Sequence, residues 1–244
     1  MKNKISIIIG VILTLGFAGA AQAVTVDGNF GLAEWAGNYS NDDGVGTHGY
    51  VGPGYGGQAF DVELLGLEFT PGGELYFGLQ TGFDFRDTVW YGGAPYHAGD
   101  FALDVNGDGF YDYAIDFSFT GDTPTFSLWD VSVWDDVAYT AYYVSQPFQK
   151  GTATPVAATF TGAYGSMDTS TYGGVSYTLE GSVNLSALAL YSSGPITLHW
   201  TMSCGNDYLN HTSKPTSVPE PGTLLLLGSG LVGLAWKVRR KKTS

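Results

Sequence analysis

Short runs of alternating apolar and polar residues, separated by Gly, Pro, Asn and Asp, recur along most of this 244-residue chain. A period of two is typical of half-buried β-strands, and the separating residues are those that favour turns. Residues 184–191 predict a helical turn. The runs that predict strands are 61–69, 74–81, 100–105, 111–119, 125–133, 136–144, 175–183 and 196–204. About ten strands in roughly 195 residues favour one all-β domain, an antiparallel β-sandwich, over two smaller domains.

The N-terminal segment does not follow this pattern. Lys2 and Lys4 precede an apolar run, and Ala21 and Ala23 form a small-x-small site at its end. A charged start, an apolar run and such a site, in that order, are typical of a secretory signal helix. We therefore expect cleavage before Val24 and export of the body.

The C-terminal segment also departs from the pattern. Residues 222–236 carry no charge and would form a helix of roughly 22 Å, shorter than the ~30 Å hydrocarbon core of a membrane. Basic residues at 239–242 follow, and such a flank stays on the cytoplasmic side. The sequence predicts a single short transmembrane helix that holds the body outside the cytoplasm, at the inner membrane.

These features divide the chain into four parts. The first is a signal peptide at 1–23, and the second is the β-sandwich body at 24–213. A linker at 214–221 contains three prolines, which stiffen it. The last part, 222–242, is the transmembrane segment with its basic tail.

The charge of the body excludes one class of partner. Residues 24–218 contain three basic side chains against twenty-two acidic ones, a net charge of −19. Such a body repels nucleic acid, because phosphate binding depends on Lys and Arg. The charged partners that it favours are cations, although high solubility accounts for the same composition.

A β-hairpin at residues 99–117 carries the most specific chemistry of the body. The register that joins its apolar faces pairs Leu103 with Tyr113. This register also places two pairs of aspartates directly opposite each other, namely Asp104 with Asp112 and Asp100 with Asp116. Like charges across a ladder are destabilising, so we expect a cation to offset the repulsion.

The loop of this hairpin predicts a Ca²⁺ site. Its sequence, DVNGDGFYD, has oxygen ligands at the spacing of the first nine positions of an EF-hand loop, with Gly109 at the turn. Ile115 replaces the bidentate Glu of position 12 and the flanks are strands, so we expect a DxNxDGxxD loop of the extracellular type. A plain hairpin with solvated aspartates is the alternative. The predicted ligands are Asp104, Asn106, Asp108, Phe110 through its carbonyl, and Asp112.

Other chemistries have less support. The four histidines lack the paired spacing of zinc ligands, and Cys204, the only cysteine, has no catalytic motif around it. Residues 44–49 match a dinucleotide fingerprint, but no strand precedes them and no helix follows. Paired carboxylates for glycoside hydrolysis stay open, because their separation is invisible in a sequence. We expect a protein without enzymatic activity.

Aromatic residues offer a further kind of site. Sixteen tyrosines and several tryptophans could form a platform on which sugars stack. Such aromatics belong more often to the core and to cross-strand pairs. The tryptophans that are candidates for such a platform are Trp35, Trp90, Trp129, Trp134 and Trp200.

The C-terminal segment resembles the PEP-CTERM sorting signal of exosortase substrates. The resemblance rests on Pro219, Glu220 and Pro221, on the short apolar helix, and on Arg239 and Arg240 in the basic tail. In that family, a membrane protease-transpeptidase called exosortase recognises the signal, and the helix is removed or exchanged during delivery to the surface. Such substrates are typical of Gram-negative bacteria that make exopolysaccharide. The resemblance implies exosortase as a processing partner.

The body resembles, more loosely, the family 9-like carbohydrate-binding β-sandwiches. Residues 26–37, VDGNFGLAEWAG, are similar to the opening of those domains, and residues 177–188, YTLEGSVNLSAL, to a late strand and turn. Residues 199–209, HWTMSCGNDYL, resemble a closing strand of exosortase-dependent surface proteins. The resemblance implies a sandwich and assigns no sugar-binding residue.

The sequence thus predicts a non-enzymatic, secreted or cell-surface β-sandwich protein that is stabilised by Ca²⁺ and acts in the envelope or the exopolysaccharide matrix. A carbohydrate-binding module of that matrix is the first alternative, with polysaccharide as its partner, and a secreted glycan hydrolase is the second. We expect anchoring in the membrane through the C-terminal helix first, and a place on the surface or in the matrix afterwards.

Overall fold

The computed structural model describes residues 24–42, 56–70, 72–137, 147–169, 174–185 and 194–214, which all belong to one structural unit. Several predictions lie outside these residues. They are the signal peptide, most of the predicted strand 136–144, most of the helical turn at 184–191, and the C-terminal helix with the sorting residues.

The described residues form fifteen strands and one short 3₁₀ turn, Gln58–Phe60. The strands are β1 (Tyr39–Asn41), β2 (Val62–Phe69), β3 (Glu74–Thr81), β4 (Val89–Tyr91), β5 (Ala94–Tyr96), β6 (Phe101–Asp104), β7 (Tyr113–Thr120), β8 (Thr123–Val131), β9 (Trp134–Asp135), β10 (Gln149–Lys150), β11 (Ala153–Val156), β12 (Phe160–Thr169), β13 (Gly174–Asn184), β14 (Ile196–Thr201) and β15 (Tyr208–Ser213).

Two antiparallel sheets pack face to face. The first has five strands in the order β1-β2-β3-β13-β12, and the second has six in the order β11-β8-β7-β6-β14-β15. Side chains from both sheets share one buried core. In that core the ring of Phe77 on β3 meets the ring of Phe101 on β6 edge to face, with 5.1 Å between the centroids. The predicted antiparallel β-sandwich is confirmed.

The hairpin of β2 and β3 illustrates how the sequence sets these elements. Both strands alternate apolar residues with others, and the turn between them begins at Thr70, whose carbonyl accepts the N–H of Gly73 at 2.9 Å. Gly73 has a φ of 83°, which glycine adopts without strain. The predicted strand at 74–81 has the observed bounds, and the one at 61–69 differs by a single residue.

A second, smaller core covers the outer face of the five-stranded sheet. Its buried members are Val24, Phe30, Trp35 and Leu64. The Trp35 indole lies directly on Gly66 and Gly78, where a Cβ would come within 2.6 Å of the ring. Real Cβ atoms cannot approach so closely, so the two glycines inside these strands are required for the indole to pack.

Two buried carboxylates fasten the segment that carries Trp35. Glu34 accepts the N–H of Gly31 at 3.0 Å and that of Thr25 at 3.0 Å. Glu180 on β13 accepts the N–H of Gly28 at 2.9 Å, and burial raises the pKa of its carboxyl to about 7. Residues 24–37 therefore act as a strap across the sheet, so the stretch that resembles a carbohydrate-binding module has a structural role here.

The sequence pattern does not predict β12, because its glycines resemble turn signals. Gly162 faces Phe126 of β8, and a Cβ at this position would lie 2.3 Å from the phenyl ring. Gly165 faces the carbonyl oxygen of Gly28, which a Cβ would approach to 2.1 Å. In both places the missing side chain makes room for a neighbouring layer and does not mark a turn.

Within the described residues, no helix is both long enough and apolar enough to cross a membrane.

Candidate functional site

The β6–β7 hairpin has the predicted register. Leu103 pairs with Tyr113 and Phe101 pairs with Ile115. Phe101 and Ile115 belong to the sandwich core, so the aspartates in the alternate positions face the other way. This arrangement produces two acidic groups on the outer side of the six-stranded sheet, which are compensated differently.

The first group contains Asp100 and Asp116, and its cation is a lysine of the chain itself. The Nζ atom of Lys150, on β10, lies 2.5 Å from Asp116 Oδ2 and 3.9 Å from Asp100 Oδ2. Asp100 also accepts the backbone N–H of Lys150 at 2.9 Å. The ammonium lies 5.0 Å from the ring centroid of Trp129, which adds a cation–π contact. The sequence predicts that a cation is needed but not which one.

Asp100 is the most buried member of this group. Burial is the main reason that its pKa rises to about 7, and the Asp116 carboxylate acts in the same direction. The backbone N–H and the ammonium of Lys150 oppose that rise. The neutral acid is therefore a populated form of Asp100 near neutral pH.

The second group is the predicted Ca²⁺ loop, and its carboxylates are held by backbone N–H groups. Asp104 Oδ1 accepts the N–H of Asn106 at 3.2 Å and that of Gly107 at 2.6 Å. Asp104 Oδ2 accepts the N–H of Gly109 at 2.9 Å. Gly107 and Gly109 have φ values of 76° and 89°, so the loop depends on both glycines to close on Asp104.

The remaining predicted ligands continue this chain of hydrogen bonds. Asn106 Oδ1 accepts the N–H of Asp108 at 2.8 Å, and Asp108 Oδ1 accepts the N–H of Phe110 at 2.9 Å. Asp112 accepts the N–H of Val105 at 3.0 Å and a side-chain N–H of Asn106 at 3.2 Å. All five predicted residues thus lie on one loop, although the side-chain oxygens of Asp104, Asn106, Asp108 and Asp112 already accept hydrogen bonds.

Negative charge in the loop is only partly offset. Burial raises the pKa of Asp112, and the carboxylates of Asp108, Asp104 and Asp130 raise it further. The ion pairs found in the described residues involve only Arg86 and Lys150, and neither reaches this loop. The described residues contain no cluster of three or more His, Cys, Asp or Glu side chains arranged to hold a metal, so the Ca²⁺ site stays a prediction.

A cleft of about 910 Å³ opens beside the loop, and the sequence pattern does not predict it. Trp134 donates its indole N–H to the Tyr111 carbonyl at 3.0 Å, and the rings of these two residues meet edge to face at 6.4 Å. Among the residues that the structure describes, the lining contains aromatic rings and carboxylates and no Lys, Arg or His. It comprises Val105, Asn106, Gly109, Phe110, Tyr111, Asp112, Tyr113, Asp130, Val131, Ser132, Trp134, Asp136 and Pro147.

The five candidate tryptophans do not form one platform for stacking sugars. Trp35 and Trp200 are fully buried, so they have core roles. Trp129 lies against Lys150, and Trp90 on β4 is 69% exposed. Of the five candidates, only Trp134 lines the cleft.

His199 and Cys204 also have structural roles, because both side chains are buried. His199 is buried, and its ring nitrogens lie 2.6 Å from Asn210 Oδ1 and 3.0 Å from the Pro147 carbonyl. Burial lowers its pKa to about 4. Burial raises the pKa of the Cys204 thiol to about 12, which leaves little reactive thiolate at neutral pH.

An antiparallel β-sandwich followed by a sorting signal defines an exported protein. A model of the PEP-CTERM protein-sorting motif matches residues 217–241, a range that contains the predicted sorting residues. The chain therefore carries a PEP-CTERM sorting motif, and this motif implies processing by an exosortase and anchoring of the C-terminus in the membrane before cleavage. No curated protein and no solved structure matches the chain, so the looser resemblance of the body gains no support.

Replacing Lys150 with Met should destabilise the body in a pH-dependent manner. The pKa of Asp100 in the fold, about 7, lies above its ordinary value of 3.8. Its protonated form is therefore favoured by folding, and that stabilisation is lost as pH rises through 7. Without the ammonium, ionised Asp100 faces Asp116 uncompensated. We expect the free energy of unfolding, measured with urea, to fall by about 2 kcal/mol near pH ~8 and by less near pH ~5.

Two controls belong to this experiment. Lys214 is exposed, so Lys214→Met should change stability by less than about 0.5 kcal/mol. The double variant Lys150→Met/Asp116→Asn removes the repulsion and should recover much of the loss near pH ~8. An equal loss at both pH values, or no recovery, would contradict the ion-pair account.

Proposed function

We propose that this protein is a non-enzymatic component of the bacterial envelope or of its exopolysaccharide matrix. An exosortase processes its C-terminus, and the body is delivered to the outside. The sorting motif at residues 217–241 carries the proposal. The net charge of −19 over residues 24–218 is compatible with a place in a hydrated extracellular matrix, since such charge keeps a protein soluble.

Ca²⁺ is the proposed cofactor of the body, bound by the loop from Asp104 to Asp112. The support is chemical, because the loop offers only oxygen ligands, which Ca²⁺ prefers. The hydrogen bonds of Asp104, Asn106 and Asp108 order the loop before any ion arrives. An ion would supply the positive charge that the described residues around the loop lack.

The sorting part of the proposal is tested by changing the motif. In an exosortase-containing Gram-negative host, the wild-type chain should appear outside the inner membrane without its C-terminal segment. A chain with Pro219, Glu220 and Pro221 replaced by Ala should accumulate in the membrane at full length. Fractionation and mass spectrometry of the C-terminal peptide measure both outcomes. Equal processing of the two chains would contradict the proposal.

The cofactor part is tested by thermal unfolding of the full chain with EDTA and with about 10 mM Ca²⁺. Extracellular Ca²⁺ modules have dissociation constants of about 0.1–1 mM, so saturation should stabilise the body by about 1.5–3 kcal/mol. For a body of this size, we expect a rise in the melting temperature of about 3–10 °C. An unchanged melting temperature would overturn the proposed site.

Two variants separate Ca²⁺ binding from ordinary folding effects. Asp108 is exposed, and Asp108→Asn keeps an acceptor for the Phe110 N–H. We expect this variant to melt like the wild type in EDTA and to lose most of the Ca²⁺-dependent rise. Asp104→Ala should lose the rise as well, and it should also melt lower in EDTA because three backbone hydrogen bonds disappear. The exposed Asp168 provides the matched control Asp168→Asn, which should keep the full rise.

A further inference from the structure

We propose that the cleft beside the Ca²⁺ loop binds a glycan chain built of amino or neutral sugars and rejects uronates. The cleft is the cavity lined by Phe110, Tyr111, Tyr113, Trp134 and the carboxylates of Asp112, Asp130 and Asp136. The inference rests on the proposed extracellular function and names a ligand class for it.

The polar groups of the cleft are mainly hydrogen-bond acceptors. Asp112, Asp130 and Asp136 contribute carboxylates, which only accept. The hydroxyls of Ser132, Tyr111 and Tyr113 and the amide of Asn106 can both donate and accept. No Lys, Arg or His lies among the described lining residues, so an anionic ligand would meet negative charge that these residues do not compensate. A ligand that brings many donors, as sugar hydroxyls and protonated sugar amines do, fits this set of acceptors.

Aromatic rings supply the apolar part of the cleft. The indole N–H of Trp134 is held by the Tyr111 carbonyl, which fixes the orientation of the ring. Phe110, at the tip of the loop, is 76% exposed and makes up part of the rim. Binding sites of this kind combine aromatic surface with a few fixed polar groups. The C–H faces of sugar rings can pack on such surface while their hydroxyls reach the carboxylates.

The sheet topology favours a glycan over an extended peptide. Peptides commonly add as a strand to the free edge of a sheet. β7 and β8, which contribute Tyr113, Asp130 and Val131, each have a neighbour on both sides in the order β11-β8-β7-β6, so they offer no free edge at the cleft. β9, which carries Trp134, pairs only with β10 among the described strands, and its two residues are too few to pair with a peptide strand. The cavity of about 910 Å³ lies at the upper end of the ~300–1,000 Å³ typical of ligand sites, so it has room for several sugar units.

Calorimetric titration of the full chain in detergent tests the proposal with four probes: glucosamine hexamer, cellohexaose, guluronate hexamer and hexalysine. We expect binding that is tightest for the glucosamine hexamer, weaker for cellohexaose and undetectable for the guluronate hexamer. The proposal would be overturned if neither the glucosamine hexamer nor cellohexaose binds. It would also be overturned if the guluronate hexamer binds as tightly as those two, or if only hexalysine binds.

Exposed residues of the cleft provide variants that leave the fold intact. Phe110→Ala removes ring surface and should weaken both glycans about tenfold, a change of about 1.4 kcal/mol. Asp130→Asn removes one charge and should weaken the glucosamine hexamer more than cellohexaose. Trp90 and Asp168, which are exposed and outside the cleft lining, give the controls Trp90→Ala and Asp168→Asn. Unchanged affinity in both cleft variants would overturn the proposal.

One of these variants separates this proposal from the Ca²⁺ site. Asp130 lies outside the loop of residues 104–112, so Asp130→Asn should keep the Ca²⁺-dependent rise in melting temperature. A normal rise without any glycan binding would overturn the cleft proposal alone, and glycan binding without a rise would overturn the Ca²⁺ proposal alone.

Discussion

Repulsion between aspartates across the β6–β7 hairpin is the constraint on which the surrounding structure depends. The register that buries Phe101 and Ile115 in the core brings the acidic side chains together on the other side of the sheet. The apolar register is therefore destabilised wherever this charge is not compensated. In residues 24–218, which contain only three basic side chains, that compensation has to be placed with some precision.

The lysine that compensates Asp100 and Asp116 also positions a segment of backbone. Residues 147–150 lie on the outer side of the six-stranded sheet, where the Phe148 carbonyl accepts the N–H of Asp100 at 2.6 Å. Next to it, the Pro147 carbonyl meets His199. This segment covers one sheet, as the strap of residues 24–37 covers the other. Each cover is joined to its sheet by a buried acid, Asp100 in one case and Glu180 in the other.

At the other end of the hairpin, backbone N–H groups, and no lysine, donate hydrogen bonds to the carboxylate of Asp104. They order the loop around Asp104 but add no full positive charge, so the excess negative charge extends from the loop to Asp130 and the cleft. The Ca²⁺ and glycan proposals both follow from this difference between the two ends. In the first proposal, Ca²⁺ offsets the charge of the loop. In the second, hydroxyls and protonated amines of a sugar donate hydrogen bonds to the carboxylates of the cleft.

The sequence predicts the parts of this protein that depend on neighbours along the chain. The sandwich class, the β2–β3 hairpin and the β6–β7 register follow from alternation and turn residues, and the sorting signal follows from a local motif. Lys150 could not be assigned to Asp116, because the two are brought together only by the fold. The glycines of β12 resemble turn signals in the sequence, whereas those beneath Trp35 lie inside predicted strands. Both sets are explained only by residues of another layer, which the sequence does not place. The cleft likewise depends on residues from three separate strands and loops.

Terbium luminescence tests the role of the loop most directly. Tb³⁺ occupies Ca²⁺ sites with oxygen ligands, and it emits when nearby aromatic rings such as those of Tyr111 and Trp134 are excited. The account predicts sensitised emission that saturates at a single ion per chain, is displaced by Ca²⁺ and is lost in Asp108→Asn. Emission no stronger than that of free Tb³⁺, or equal emission from the variant, would contradict it.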